Sequence, residues 1–164
     1  MEPGPGAHTE AMTAEASPDI AAQLDAAAAA CAREGTELTE LRRSVLALVL
    51  EAEGPLTAYQ LLDRLKEIRK HAVPPTIYRA LDFLLARRLI HKLASLNAFI
   101  PCIEPTHARH QAQFLICRRC GAVTEVEDAG VARALGLAAQ RRGFRATSAV
   151  VEVSGECAVC ARAA

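Results

Sequence analysis

Along this chain the apolar positions follow a helical period first and a strand period later, and the change of period divides it in two. Residues 1–18, rich in Pro, Gly, Ala and Glu, follow neither and read as a disordered tail. The alanine-rich residues 21–33 are helical by propensity. After Thr39, Leu41, Val45, Leu48, Val49 and Ala52 fall on one face of a second helix, which Gly54-Pro55 stops. In LTAYQLLDRL, Thr57 and Gln60 have the spacing of a capping box, and Ala58, Leu61, Leu62 and Leu65 form the buried stripe of a third helix. In VPPTIYRALDFLLARRL the prolines suit a first helical turn, and Ile77, Leu81, Leu84, Leu85 and Arg88 recur at helical spacing. That leaves Thr76, Arg79, Asp82, Phe83 and Ala86 facing outward, with Tyr78 at the margin.

Next, LIHKLASLNAFIPC reads as two short strands around a Ser95/Asn97 turn. Three helices followed by a hairpin is the order of a winged helix-turn-helix domain, here over residues 19–101. A linker over 102–108 leads into a second, α/β module over 109–164. There FLIC and AVTEVE read as strands, residues 129–142 as a helix buried through Val131, Ala132, Leu135 and Ala138, and RATSAVVEVSG as a further strand.

Charge changes this picture in one respect. The net charge is zero, but residues 1–40 carry eight acidic side chains against one basic, and residues 64–92 carry eight Lys or Arg against two acids. A basic middle suits an anionic partner, although a solvated helix face would look the same. An outward helical face bearing Arg79, inside that basic stretch, suits the major groove of double-stranded DNA. The opening residues lack the basic and apolar regions of a signal peptide, and no stretch reaches the roughly 18 apolar residues of a membrane span. The expected setting is therefore the cytoplasm, with no membrane partner. In that reducing compartment the six cysteines are expected as metal ligands or catalytic thiols rather than disulfides.

Four of them form two C-x2-C pairs, Cys117/Cys120 and Cys157/Cys160, separated by 36 residues. Four thiolates at this spacing suit a closed tetrahedral zinc site, with an iron–sulfur cluster as the main competitor and a redox couple as a weaker one. A site with four cysteine ligands has no open position, so its expected role is to staple the second module. Cys31 has no partner in sequence and is expected to pack as a small apolar residue. His71, at a helix end, is expected to complement the helix dipole.

The stretches LTAYQLLDRL, PPTIYRALDFLL, HK followed by PC, and FLICRRCGAV resemble the bacterial ferric uptake regulator superfamily, above all its zinc-responsive branch. The resemblance covers about residues 36–160. It implies an α+β homodimer: an N-terminal winged helix-turn-helix domain for operator DNA and a C-terminal α/β dimerisation domain stapled by zinc. It also implies a regulatory zinc between the domains, held at matching positions by His91, Cys102, His110 and Glu125, making two zinc ions per subunit. Two imidazoles, a thiolate and a carboxylate are a donor set that suits zinc. His107 is a substitute ligand to consider.

Iron-responsive relatives carry a dense histidine and aspartate cluster before the first cysteine pair. This chain has HARHQAQFLIC there, which favours zinc over iron, manganese, nickel or peroxide sensing. The expected function is thus zinc-dependent repression of zinc-uptake genes, with Tyr59, Thr76, Tyr78 and Arg79 at the DNA. No H-E-x-x-H and no H-x-E before a cysteine pair suggests an enzyme, and no small organic substrate is expected.

Overall fold

The computed structural model describes residues 19–102, 111–147 and 149–163. The expected tail over 1–18 and all of the expected linker except Cys102 lie outside these, as do His107 and His110. Four helices build the first module: α1 (Ile20–Arg33), α2 (Glu40–Leu50), α3 (Ala58–Ile68) and α4 (Pro74–Ala86). They close against an antiparallel sheet of order β1-β3-β2, formed by β1 (Leu56–Thr57), β2 (Ile90–Leu93) and β3 (Ala98–Pro101). The hairpin β2–β3 is the wing, and its turn is completed by Asn97 at φ 46°, a left-handed conformation that asparagine tolerates.

Local sequence explains these elements. Thr57 caps α3 reciprocally: its hydroxyl accepts the Gln60 N–H at 3.3 Å, while Gln60 Oε1 accepts the Thr57 N–H at 2.8 Å. The buried face of α3 is Ala58, Leu61, Leu62 and Leu65, as its period predicts. Pro74 and Pro75 occupy the first turn of α4, where no amide is needed for the helix ladder. Helix α2 ends at Leu50, so Ala52 lies beyond it and is not part of its stripe.

Two expectations for α4 are corrected. Arg88 does not extend the buried stripe, because the chain leaves the helix at Arg87 and Arg88 turns left-handed at φ 56°. Its place is taken by Ala80, buried beside Ile77, Leu81 and Leu84. Phe83 is not an outward residue: it is half-buried, with the Arg42 guanidinium 3.6 Å from its ring centre and that of Arg87 at 5.8 Å. Arg42 comes from α2, a partner that the spacing along α4 alone does not reveal.

The second module is a sheet of order β5-β4-β6, with α5 (Ala129–Arg141) joining its outer strands. Central β4 (Ala112–Cys117) runs antiparallel to β5 (Val123–Val126) and parallel to β6 (Val150–Gly155). A short helix, α6 (Ala158–Arg162), follows β6. Asp128 caps α5 through the N–H groups of Gly130 and Val131 at 2.7 and 3.0 Å. The expected burial of α5 is corrected: none of its residues is buried, and Val131 and Leu135 stay 39% and 40% exposed. The outer face of the sheet is open too, with Leu115 and Val153 exposed. The inner face packs Ala112, Phe114 and Ile116 against Leu93 and Ile100 of the wing, so one small core is shared by the two modules.

Candidate metal centres

Cys117 ends β4, Cys120 follows in the turn, Cys157 is the N-cap of α6, and Cys160 lies on that helix. The parallel pairing of β4 with β6 brings the ends of both strands, and so both pairs, together. All four sulfurs lie within 4.8 Å of one another, with Cys120 Sγ 3.8 Å from Cys157 Sγ. The first turn is tight: the Gly121 N–H donates to the Cys117 carbonyl at 3.0 Å, with φ 75° at Gly121, where a side chain would be strained. Arg119 ties the two pairs, its Nη1 donating to the Cys160 carbonyl at 2.6 Å.

The electrostatics suit a cation. Backbone N–H groups of Cys120 and then Cys157 point at the Cys117 sulfur and lower its pKa from 9.0 to about 6. The Cys160 N–H lowers Cys157 likewise. Cys160 is pushed up to about 12, chiefly by the sulfurs of Cys157 and Cys120. Negative charge is thus invited at one thiol and crowded at another, an arrangement that a soft divalent ion relieves by taking the place of the shared protons.

The second cluster spans the modules. His91 stands on β2, Cys102 just beyond β3, and Glu125 on β5, and one donor atom from each lies within 4.8 Å of the others. His91 Nε2 is 3.4 Å from Glu125 Oε1, and both side chains are nearly buried at 12% and 9% exposure. The His91 ring meets Phe114 edge-on with centres 5.4 Å apart. Cys102 is anchored by its own N–H, which donates to the Leu89 carbonyl at 3.1 Å, and the Leu89 N–H donates to Leu84 in α4 at 3.0 Å. His110, the fourth residue expected here, lies outside the described residues.

The expected DNA contacts lie apart from both clusters. Tyr59, in the first turn of α3, is 74% exposed, and on α4 Tyr78 and Arg79 are exposed while Thr76 is half-buried. Cys31 is buried, and His71 is exposed beyond α3. One residue that sequence reasoning missed joins the modules as well: the Glu152 carboxylate on β6 accepts the N–H groups of Ala94 and Ser95 in the wing turn, at 2.6 and 3.0 Å. Its trace in the sequence is a carboxylate set among the valines of VVEVSG.

The model of the Ferric uptake regulator family matches residues 33–154, most of the chain. The chain belongs to this family. It is 41% identical over 130 residues to the zinc uptake regulation protein of Escherichia coli (strain K12), a match that covers 79% of this chain and 76% of that protein. A solved zinc uptake regulator complexed with zinc and DNA superposes with a TM-score of 0.84 at 38% identity, covering 88% of this chain and 96% of that one. Holo XcZur gives 0.78 at 43% identity over 86% of this chain and 98% of its own, whereas apo XcZur gives 0.51 at 43% over 87% and 98%. Identity and coverage hardly change between the two forms, so the drop is one of shape, and this chain is nearer in shape to the holo than to the apo form.

Proposed function

We propose that this chain is a zinc-responsive transcriptional repressor that binds operator DNA as a homodimer when zinc is bound and controls zinc-uptake genes. The observation that carries this is the cluster of His91, Cys102 and Glu125, drawn from both modules, in a chain nearer in shape to the holo than to the apo form of a relative. Two zinc ions per subunit are proposed. Cys117, Cys120, Cys157 and Cys160 would hold a structural one and His91, Cys102, Glu125 and His110 a regulatory one, sulfur and imidazole donors being suited to zinc. Bound there, the second ion would supply a link between the wing and the C-terminal sheet.

In this proposal residues 19–101 are the DNA-binding domain, 102–108 the linker and 109–164 the dimerisation domain. The uncovered α5 and the open face with Leu115 and Val153 are apolar surface that a second copy of the chain would bury. Arg79 would pair with a guanine edge in the major groove, with Thr76, Tyr78 and Tyr59 on bases or backbone. Iron, manganese, nickel or peroxide sensing is not favoured, since relatives at 41% and 38% identity are zinc uptake regulators. A catalytic role is not proposed, as a four-cysteine site leaves no position for a reacting water. Among the described residues no helix is long and apolar enough to cross a membrane, and we place the repressor with its operator in the cytoplasm.

The test is operator binding in zinc buffers, beside a panel of other metals. Cys102→Ser, His91→Ala and His110→Ala should keep the dimer and the four-cysteine zinc but lose the stimulation by zinc, a coupling of about 1–3 kcal/mol in typical systems. If all three variants respond to zinc as the unmodified protein does, the regulatory assignment is wrong.

A further inference from the structure

Three residues paired across the C-terminal sheet face the wing as one row. Phe114 on β4 pairs with Glu125 on β5 and with Glu152 on β6, and directly opposed residues share a face of a sheet. Phe114 is fully buried and meets the His91 ring edge-on. On one side of it Glu125 approaches His91 Nε2; on the other Glu152 accepts the N–H groups of Ala94 and Ser95. The row therefore grips the hairpin at two points, the strand β2 and the turn that follows it. Only the first involves a residue of the proposed zinc site.

We infer that Glu152 is a second, metal-independent docking point for the wing, a positioning residue that sets how far the zinc-free protein already holds its DNA-competent angle. The inference rests on the function proposed above and adds the feature that tunes it. Three observations carry it. Two of the donors are backbone amides of adjacent residues, so the carboxylate reads the position of the wing turn itself, with the Ser95 hydroxyl as a further partner. A carboxylate that takes two N–H bonds makes charge-assisted contacts, stronger than neutral ones. Leu93, which precedes Ala94, is fully buried against Ala112, Phe114 and Ile116, so the contact sits beside an apolar seal.

The charge state agrees. Burial alone would raise the Glu152 carboxyl, but the Ser95 hydroxyl and the N–H groups of Ser95 and Ala94 outweigh it and hold the group below its ordinary value of 4.5. It is ionised, and held, at neutral pH. The apparent affinity of a ligand for one conformation scales with the fraction of protein already in that conformation. Removing the Glu152 contact lowers the docked fraction, and more zinc is then needed to restore it.

The test uses the full chain with its four-cysteine zinc loaded, as wild type, Glu152→Gln and Glu152→Ala. Operator binding is followed by fluorescence anisotropy across zinc buffers, and the radius of gyration of zinc-depleted protein by X-ray scattering. The expected result is a zinc midpoint raised about fivefold or more in Glu152→Ala, the low end of usual couplings between sites, and raised less in Glu152→Gln, whose amide oxygen still accepts. Full binding should return at saturating zinc, with an unchanged dimer and a larger zinc-depleted particle. A midpoint within twofold of wild type in both variants overturns the role of Glu152 and leaves the proposed function standing. Loss of the dimer or of the four-cysteine zinc in both overturns it as well, since Glu152 would then be part of the sheet's own stability. A wild type without any zinc response removes the proposed function and this role with it.

Discussion

The two modules are held together by different means. Among the described residues, the first closes on a cluster of twenty that are buried, from Leu24 to Phe99, drawn from all four helices and the small sheet. The second has a cluster of four, and one of these, Leu93, comes from the wing. Burial of a leucine or isoleucine side chain contributes about 1.5–3 kcal/mol, so the first module can stand on its core while the second has too little apolar area to do so. It is this second module that gathers four cysteines, an uncovered helix and an open sheet face. On the function proposed above, a small core completed by metal, by a second copy and by its neighbour would be sensitive to all three, which is useful in a sensor and a liability in a plain scaffold.

This contrast can be broken most severely at the cysteines. Cys120→Ser should abolish the fold of the second module and with it the dimer, because the metal's binding energy is folding energy where no site exists in the unfolded chain. Sedimentation and zinc content should report the loss while the helical circular dichroism of the first module persists; a dimer with normal zinc would refute it. Leu61→Ala, at a fully buried site in the larger core, should cost about 2–5 kcal/mol in chemical denaturation without touching the four-cysteine zinc. Arg79→Ala, on the exposed side of α4, should leave the melting curve unchanged. It should cost about 1–3 kcal/mol in operator binding and relax preference at one base position. The smallest effect is expected for Thr57→Ala, which removes one half of the α3 capping box and should cost about 0.5–2 kcal/mol of stability in the first module alone.

How legible each module was in the sequence follows the same division. The stripe of α3 and its cap were readable because burial repeats at the helical period and Thr57 and Gln60 lie within one turn of each other. The prolines of α4 were readable for the same local reason. Phe83 and Arg88 were misread where local period gives way, one to the Arg42 cation brought in by α2 and the other to a left-handed exit from the helix. Strand β1, two residues long, is too short to show alternation. For α5 the apolar stripe was real, but a period does not say whether the covering surface belongs to the same chain.

The cysteine pairs were legible from spacing alone. His91, Cys102 and Glu125 were not: they come from three different strands and their flanks, and only the family resemblance gathered them. Glu152 left less trace still, since two of its partners are backbone amides, which every residue but proline carries.

The bond from Cys102 to the Leu89 carbonyl, and from Leu89 to Leu84, gives the chain a lever. Two hydrogen bonds separate a proposed metal ligand from the last turn of α4, so the arm begins almost at the site. The helix has 13 residues, an arm of about 20 Å at 1.5 Å per residue. A tilt of about 10° at its fixed end would carry the Pro74 end through about 3.5 Å, close to the spacing of successive base pairs. Because Ile77, Ala80, Leu81 and Leu84 fix the helix in its core, such a tilt would be made by the first module as a body, and a small turn of that body would move the far end of the helix from one base pair to the next.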